Sequence, residues 1–200
     1  MSKKIKCLVT GGSGFLGSHL ADQLTEAGHT VTIFDKKSSV WKKKDQKFIK
    51  GDLLNFKQLR KAVIKNDVVF HFAGLSDLNE ALNNPKKSIM LNILGTVNLL
   101  DLCKTYKIKR FIHASSIYVN SEQGGFYRSS KRAAEDYIEE YKKRFNLKFT
   151  ILRFGSLYGN RADSSNGVKR IIDLALKSNK IEYYYCCHFR SETTIPSTIT

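Results

Sequence analysis

The sequence predicts an α/β fold in which a doubly wound parallel sheet carries helices on both faces. Short apolar segments alternate with amphipathic helical segments along most of the chain, and repeated βα units of this length build parallel sheets. A glycine-rich turn joins the first predicted strand to the first predicted helix. Ligands of such sheets bind at the carboxyl ends of the strands, so the strand ends form the candidate site.

The pattern predicts strands at residues 5–9, 31–34, 48–50, 68–72, 110–113 and 148–154. Helices are predicted from residue 15 onward and over 55–65, 85–106, 126–145 and 168–177. Apolar residues in 85–106 recur with the period of one helix face. We predict one domain over residues 1–184 and an irregular, Thr/Ser-rich tail over residues 185–200.

The turn over residues 10–17 reads Thr-Gly-Gly-Ser-Gly-Phe-Leu-Gly and is predicted to bind a diphosphate. Gly11 permits a sharp turn, Gly14 lets the backbone approach the ligand, and Gly17 lets the helix pack on the strand. The helix that begins with Phe15 and Leu16 presents unpaired N–H groups and the positive end of its dipole. A plain tight turn is the alternative if the glycines are taken alone.

Asp35 ends the second strand about twenty residues beyond the glycines, where an acid binds the adenosine ribose of a dinucleotide. A carboxylate there favours NAD over NADP, because it would repel a 2′-phosphate. Lys36 or Lys37 could pair with such a phosphate if Asp35 turned away. Further cofactor contacts are expected at the next strand ends, at Asp52, Leu53, Phe72, Ala73 and Gly74.

Tyr127 and Lys131 lie four positions apart on a predicted helix and therefore share a face. A phenol has an ordinary pKa of about 10, and a nearby ammonium together with a nicotinamide cation would lower it. Tyr127 would then remove a proton from a substrate hydroxyl while Lys131 holds the nicotinamide ribose. Ser115 or Ser116, at the preceding strand end, would hydrogen-bond the reacting oxygen.

Together these motifs resemble the extended short-chain dehydrogenase/reductases, the NAD-dependent nucleotide-sugar epimerase/dehydratase family, over about residues 4–184. The segments that carry the resemblance are 10–20, 71–74, 92–100, 114–116 and the Tyr-x-x-x-Lys motif at 127–131. The resemblance implies a Rossmann-type fold, NAD as cofactor and a nucleotide-sugar substrate. It also implies a homodimer through the two long helices.

The family pattern assigns catalysis to Ser116, Tyr127 and Lys131. It places Asn92 on a helix that borders the cofactor, and it puts substrate contacts at Ser76, Ser116, Tyr127 and Ser156. Ser156 stands where the family has an asparagine that touches the substrate phosphate.

The same comparison narrows the chemistry. Members that eliminate water typically carry Asp-Glu after the strand-end hydroxyl residue, whereas this chain has Ile117 and Tyr118. We therefore favour an epimerase similar to UDP-glucose 4-epimerase. The alternatives are a reductase or dehydratase of the same family, or a non-catalytic dinucleotide-binding module. Family members carry a further C-terminal region that closes over the sugar, so we expect a truncated or frame-altered form with that region largely absent.

Composition bears on partners and location. The formal net charge is +16, but the lysines are spread along the chain, which favours a solvated surface over a nucleic-acid site. No apolar segment is long enough to span a membrane, so we expect neither nucleic acid nor membrane as a partner. The four cysteines lack metal-ligand spacing, and Cys186-Cys187-His188 is a poor zinc motif. We therefore expect no metal and a cytoplasmic location.

Overall fold

The computed structural model describes residues 3–164, 166–178, 180–184 and 190–194. The chain forms two compact units, Met1–Gly155 and Ser156–Thr200. The predicted boundary at residue 184 therefore lies inside the second unit. The parallel sheet is complete before residue 156, so the residues that follow form a unit of their own.

The first unit is built on a six-stranded parallel sheet. Its strands are β1 (Lys6–Thr10), β2 (Thr30–Asp35), β3 (Lys47–Lys50), β4 (Val68–His71), β5 (Arg110–Ser116) and β6 (Phe149–Phe154). Their spatial order is β3-β2-β1-β4-β5-β6, and every pair is parallel. This order reverses direction between β1 and β4, which opens a crevice at the carboxyl ends of those strands. The predicted doubly wound, Rossmann-type sheet is confirmed.

The helices of this unit are α1 (Phe15–Glu26), α2 (Phe56–Val63), α3 (Leu78–Asn83), α4 (Pro85–Ser88), α5 (Gly95–Thr105) and α6 (Gly125–Phe145). A 3₁₀ turn, Ile117–Asn120, follows β5. The helix predicted over residues 85–106 is instead α4 and α5 joined by a π-helical segment, Ile89–Leu94. The short helix α3 was not predicted. It begins where the Asp77 side chain accepts a hydrogen bond from the N–H of Glu80 (2.7 Å).

Two apolar clusters show that both faces of the sheet are covered. Leu8 and Phe34 pack in a large core with residues of α2, α5 and α6, including Leu99 and Ile138. Neighbouring strand residues point the opposite way, and Val9 packs in a second cluster with three further buried residues: Ala21, Val31 and Ile33. The strand positions are thereby fixed from both sides.

The second unit contains α7 (Gly167–Ser178) and an antiparallel hairpin of β7 (Lys180–Tyr184) and β8 (Arg190–Thr194). The prediction of an irregular tail is wrong for residues 190–194. Their paired threonines, opposite residues of β7 that include Ile181, favour an extended backbone. The other tail residues, Cys186, Cys187 and His188 included, lie outside the described residues.

The described residues contain no helix with the length and apolar character that a membrane crossing requires. They also contain no group of three or more His, Cys, Asp or Glu side chains placed to hold a metal ion.

Candidate active site

The turn after β1 leaves no room for a side chain at two of its glycines. Gly11 has φ of +73°, and a Cβ there would lie 2.5 Å from the backbone nitrogen of Ala73. A Cβ on Gly17 would lie 2.2 Å from the carbonyl oxygen of Gly11. The turn therefore lies directly against the end of β4 and against the first turn of α1, with no room for side chains.

The N-terminus of α1 is suited to an anion. Gly14 precedes the helix and gives no side-chain cap, and a Cβ there would lie only 3.3 Å from the carbonyl oxygen of Gly11. The first N–H groups of a helix have no partner within it, and here they belong to Phe15, Leu16 and the residues beside them. Bare backbone and the helix dipole together fit the diphosphate that the sequence predicts.

Asp35 connects the end of β2 to this turn. Its carboxylate accepts hydrogen bonds from the backbone N–H of Ser13 and of Lys37, both at 3.0 Å. The Ser13 hydroxyl in turn donates to the Lys37 carbonyl at 2.7 Å. Asp35 therefore lies beside the glycine turn, as its predicted role in ribose binding requires.

Lys36 is directed toward Asp52, with 2.8 Å between ammonium and carboxylate. Burial opposes the charge on Asp52, but the hydrogen bond from Lys36, the N–H of Leu54 and the charge of Lys36 together hold its pKa below the ordinary value. Leu53 is a core residue, and its side chain faces Gly95. An adenine contact at Leu53 would thus have to use its backbone.

The backbone of residues 72–74, which follow β4, lies close to Lys131 of the predicted catalytic pair. The N–H of Phe72 donates to the Thr10 carbonyl (3.1 Å), which holds Phe72 and Ala73 beside β1. A Cβ on Gly74 would lie 2.6 Å from Oδ1 of Asn92 and 3.8 Å from Nζ of Lys131. Ser76, further along this segment, is exposed.

Asn92 holds this segment in place. Its Oδ1 accepts from the N–H of Leu75 (2.7 Å), while its Nδ2 donates to the Leu75 carbonyl (3.0 Å) and to Oγ of Ser130 (2.9 Å). The π-helical turn places Asn92 at the point where the loop after β4 meets α6. Direct contact between Asn92 and the cofactor stays a prediction, since these three bonds go to the protein itself.

Tyr127 and Lys131 lie together, buried, on α6. Tyr127 is 9% exposed and Lys131 is 7% exposed. The Lys131 ammonium donates to the Ala114 carbonyl (2.9 Å) and lies 6.0 Å from the centre of the Tyr127 ring. Burial lowers the pKa of Lys131 to about 8, against the opposing charge of Glu135. The predicted pair is therefore assembled on one helix face.

The pKa of Tyr127 differs from the prediction. Burial raises it, the nearby Tyr118 adds to the rise, and a hydrogen bond with Ser116 opposes it. The predicted lowering is wrong for the protein's own groups, because burial disfavours the phenolate more than its neighbours stabilise it. A positive charge brought by a ligand would favour the phenolate at this position.

The two candidate serines are separated by the alternation of side chains along β5. The hydroxyl of Ser115 donates to the carboxylate of Glu135, away from Tyr127. Ser116 is the serine whose hydroxyl opposes the rise of the Tyr127 pKa, and its Oγ accepts from the N–H of Tyr118 at 3.3 Å. Ser156 begins the second unit, and its predicted substrate contact stays a prediction.

Two buried histidines beneath the cluster were missed. The ring of His71 is hydrogen-bonded to Thr10 (2.8 Å) and Thr96 (3.0 Å), and it lies 5.4 Å from the ring of His113, centre to centre. Burial, and then the charge of Lys131, lower the pKa of His71 to about 3, and the same two causes act on His113. Both rings are therefore neutral at physiological pH. Nothing in a strand segment distinguishes such a histidine from a surface one.

The fold and the site define a class, since a doubly wound sheet with a glycine turn and a Ser-Tyr-Lys cluster at one edge is typical of dinucleotide-dependent enzymes. The chain belongs to the NAD dependent epimerase/dehydratase family, whose family model matches residues 7–184. This confirms the predicted family and the predicted cofactor, NAD, on which the family depends.

Individual relatives agree with this assignment. The chain is 31% identical over 201 residues to a putative UDP-glucose 4-epimerase of Methanocaldococcus jannaschii, covering 86% of this chain and 63% of the relative. It is 31% identical over 212 residues to dTDP-D-glucose 4,6-dehydratase of Dictyostelium discoideum, covering 88% and 49% respectively.

A solved structure shows the same fold. The UDP-glucose 4-epimerase of Thermus thermophilus in complex with NAD superposes with a TM-score of 0.80 at 28% identity, over 86% of this chain and 63% of that one. The chain thus spans between about half and two thirds of the length of these relatives.

Proposed function

We propose that the chain is the cofactor-binding part of an NAD-dependent nucleotide-sugar epimerase that acts by transient oxidation of one sugar carbon. The observation that supports this most strongly is the burial of Tyr127 and Lys131 side by side, with Ser116 beside Tyr127. Relatives named as UDP-glucose 4-epimerases support the substrate class.

The cofactor's diphosphate would be held by the turn at Gly11, Gly14 and Gly17, where bare backbone and the start of α1 face the ligand. Asp35 would accept from the adenosine ribose, and Lys131 would donate to the nicotinamide ribose. Bound NAD would supply the acceptor for hydride from the sugar carbon and the donor that restores it to the opposite face of the keto sugar, which inverts that carbon.

Tyr127 would take the proton of the sugar hydroxyl on its phenolic oxygen and later give it back. Ser116 would hydrogen-bond the same sugar oxygen and hold it in line with Tyr127. The Lys131 ammonium, at its distance of 6.0 Å from the Tyr127 ring, favours the phenolate electrostatically. These steps need only one acid–base group, which suits a reversible oxidation.

The residues after Ser116 support epimerisation over elimination of water. Ile117 is 53% exposed, and Tyr118 stands edge-on to the Tyr127 ring, 6.4 Å away at 82°. Neither places a carboxylate beside the reacting carbon. A reductase of the family would need the same Ser, Tyr and Lys. The site residues alone therefore do not distinguish a reductase from an epimerase.

We further propose that the sugar contacts Ser76, Ser116 and Tyr127. We also propose that the protein is a cytoplasmic homodimer through two long helical stretches, one running from α4 through the π-helical segment to α5 and the other being α6. Exposed apolar side chains on the π-helical segment and on α6 support the dimer, namely Ile89, Met90, Leu94 and Tyr137. The free, buried thiols Cys7 and Cys103 are compatible with a reducing compartment.

The test is incubation of the chain with NAD and UDP-glucose, UDP-galactose or their N-acetyl forms, followed by product analysis. We expect the 4-epimer as product and a loss of about 10²- to 10⁴-fold in Tyr127→Phe. The control Tyr106→Phe, whose hydroxyl accepts a hydrogen bond from Arg60 of α2, should keep wild-type turnover. A 4-keto-6-deoxy product would show a dehydratase instead. Tight NAD binding without any product would favour a non-catalytic module.

A further inference from the structure

Glu135 is a buried carboxylate that the proposed chemistry leaves unused. It lies one helical turn after Lys131 on α6 and is 4% exposed. A buried charge is costly unless it is paired and hydrogen-bonded. Its partners therefore indicate why the helix keeps it there.

Two side chains, one from each of two strands, donate hydrogen bonds to this carboxylate. Arg153 on β6 donates from Nε to Oε1 (3.1 Å) and from Nη2 to Oε2 (2.6 Å), a two-pronged contact. The hydroxyl of Ser115 at the end of β5 donates to Oε1 as well. Glu135 thus joins the helix that carries Tyr127 and Lys131 to the strand end that carries Ser116.

Titratable and polar groups from α6, β5 and β4 face Lys131. Tyr127 and Glu135 face it from α6, His113 and the Ala114 carbonyl from β5, and His71 from β4. Both histidines are neutral at physiological pH, since burial lowers their pKa values. Burial lowers the pKa of Lys131 to about 8 and Glu135 raises it, so Glu135 supplies the negative charge that favours the ammonium.

We propose that Glu135 is a positioning residue, which keeps Lys131 charged and holds the end of β5 against α6 so that Ser116 meets Tyr127. It touches neither cofactor nor sugar and acts through Lys131 and Ser115. Arg153 anchors the carboxylate from β6 and offsets the cost of its burial. The proposal rests on the proposed function only for the role of Lys131 itself.

The direct test is titration of Lys131 by NMR of ¹³C-lysine-labelled protein, with the resonance assigned by its loss in Lys131→Arg. We expect the Glu135→Gln variant, which keeps shape and an acceptor oxygen, to lower the Lys131 midpoint by roughly one pH unit, the size of a buried opposite-charge effect. Glu135→Asp keeps the charge and should restore most of the midpoint. Arg153→Gln, which leaves the carboxylate, should leave the midpoint unchanged or raise it.

A second readout is NAD affinity measured against pH. The pH at which affinity falls should move down together with the Lys131 midpoint in Glu135→Gln. An unchanged Lys131 midpoint in Glu135→Gln would overturn the proposal, as would equal downward shifts in Glu135→Gln and Arg153→Gln, which indicate general loosening. If Glu135→Gln does not fold alone, the double variant Glu135→Gln/Arg153→Gln replaces it, because it removes the carboxylate together with its cation. It should also lower the Lys131 midpoint, and an unchanged midpoint there would overturn the proposal. The titration needs no cofactor or sugar, so its failure is distinct from failure of the proposed function.

Discussion

The two ends of the crevice differ in the groups that they present to a ligand. The glycine turn presents backbone, since a Cβ on Gly11 or Gly17 would overlap neighbouring main-chain atoms. The Tyr127 and Lys131 cluster presents buried side chains whose pKa values the surroundings shift. Substitutions that add atoms should therefore impair the glycine turn, and substitutions that remove a charge should impair the side-chain cluster.

The largest effect should come from shape. Gly11→Ala places a Cβ 2.5 Å from the Ala73 nitrogen at φ of +73°, so we expect NAD affinity to fall at least about hundredfold, or about 2.8 kcal/mol. Gly28→Ala is the matched control, because Gly28 also has positive φ (+84°) but nothing within 4 Å of the added Cβ. It should lose about 1 to 2 kcal/mol of stability and bind NAD normally. Calorimetry and thermal unfolding of both variants would measure this, and equal NAD affinities would contradict it.

The next largest effect should come from the Lys131 charge. Its pKa of about 8 means that the ammonium is lost as pH rises through that value, so NAD affinity should fall above pH 8. Lys131→Met should bind NAD about tenfold more weakly at pH 7, and its affinity should no longer fall in this range. Lys143→Met, which removes an exposed lysine of the same helix, should behave as wild type. A pH-dependent loss that persists in Lys131→Met would show that another group titrates.

The two neighbouring serines sharpen the comparison within β5. Ser116→Ala removes the proposed hydrogen bond to the reacting oxygen, so we expect turnover to fall by about three- to tenfold. Ser115→Ala should cost about 1 kcal/mol of stability and reduce turnover less, because Arg153 still holds Glu135. Ser129→Ala, on the exposed side of α6, is the control. Steady-state kinetics of the three variants would reveal a reversed order if Ser115 were the catalytic serine.

The smallest effect at neutral pH should come from His71, whose protonation changes the acid stability of the fold. His71 has a folded-state pKa of about 3 against an ordinary value of 6.5, so the unfolded chain binds more protons between these values. Its contribution is present above pH 6.5 and is lost as pH falls toward 3, at up to about 1.4 kcal/mol per pH unit. His71→Gln should flatten this part of the stability curve, measured by urea unfolding. An unchanged slope in His71→Gln would show that other groups govern acid unfolding.

The backbone-built region was more predictable from sequence than the side-chain cluster. Glycine spacing reports directly where a Cβ cannot fit, so the turn and the strand ending in Asp35 could be placed without coordinates. The choice between Ser115 and Ser116 depends on which face of β5 each occupies, and only the resemblance favoured Ser116. The roles of Glu135 and His71 could not be predicted, because they depend on partners that are distant in sequence, Arg153 among them.

Local sequence propensity also predicted the wrong secondary structure in two segments where contacts with other parts of the chain determine it. The apolar period of residues 85–106 indicates one helix, but the hydrogen bonds of Asn92 to Leu75 and Ser130 accompany a π-helical interruption that the period does not show. Similarly, the polar composition of residues 190–194 suggested an irregular tail, although pairing with β7 makes them a strand.

The most direct test is to measure NAD binding and sugar oxidation separately in Tyr127→Phe. Calorimetry should give an NAD affinity within about threefold of wild type, because the glycine turn is intact, while rapid mixing with UDP-glucose should show no reduced cofactor by fluorescence. An equal loss of binding, or cofactor reduction at the wild-type rate, would contradict the assignment of the phenol as the group that takes the proton.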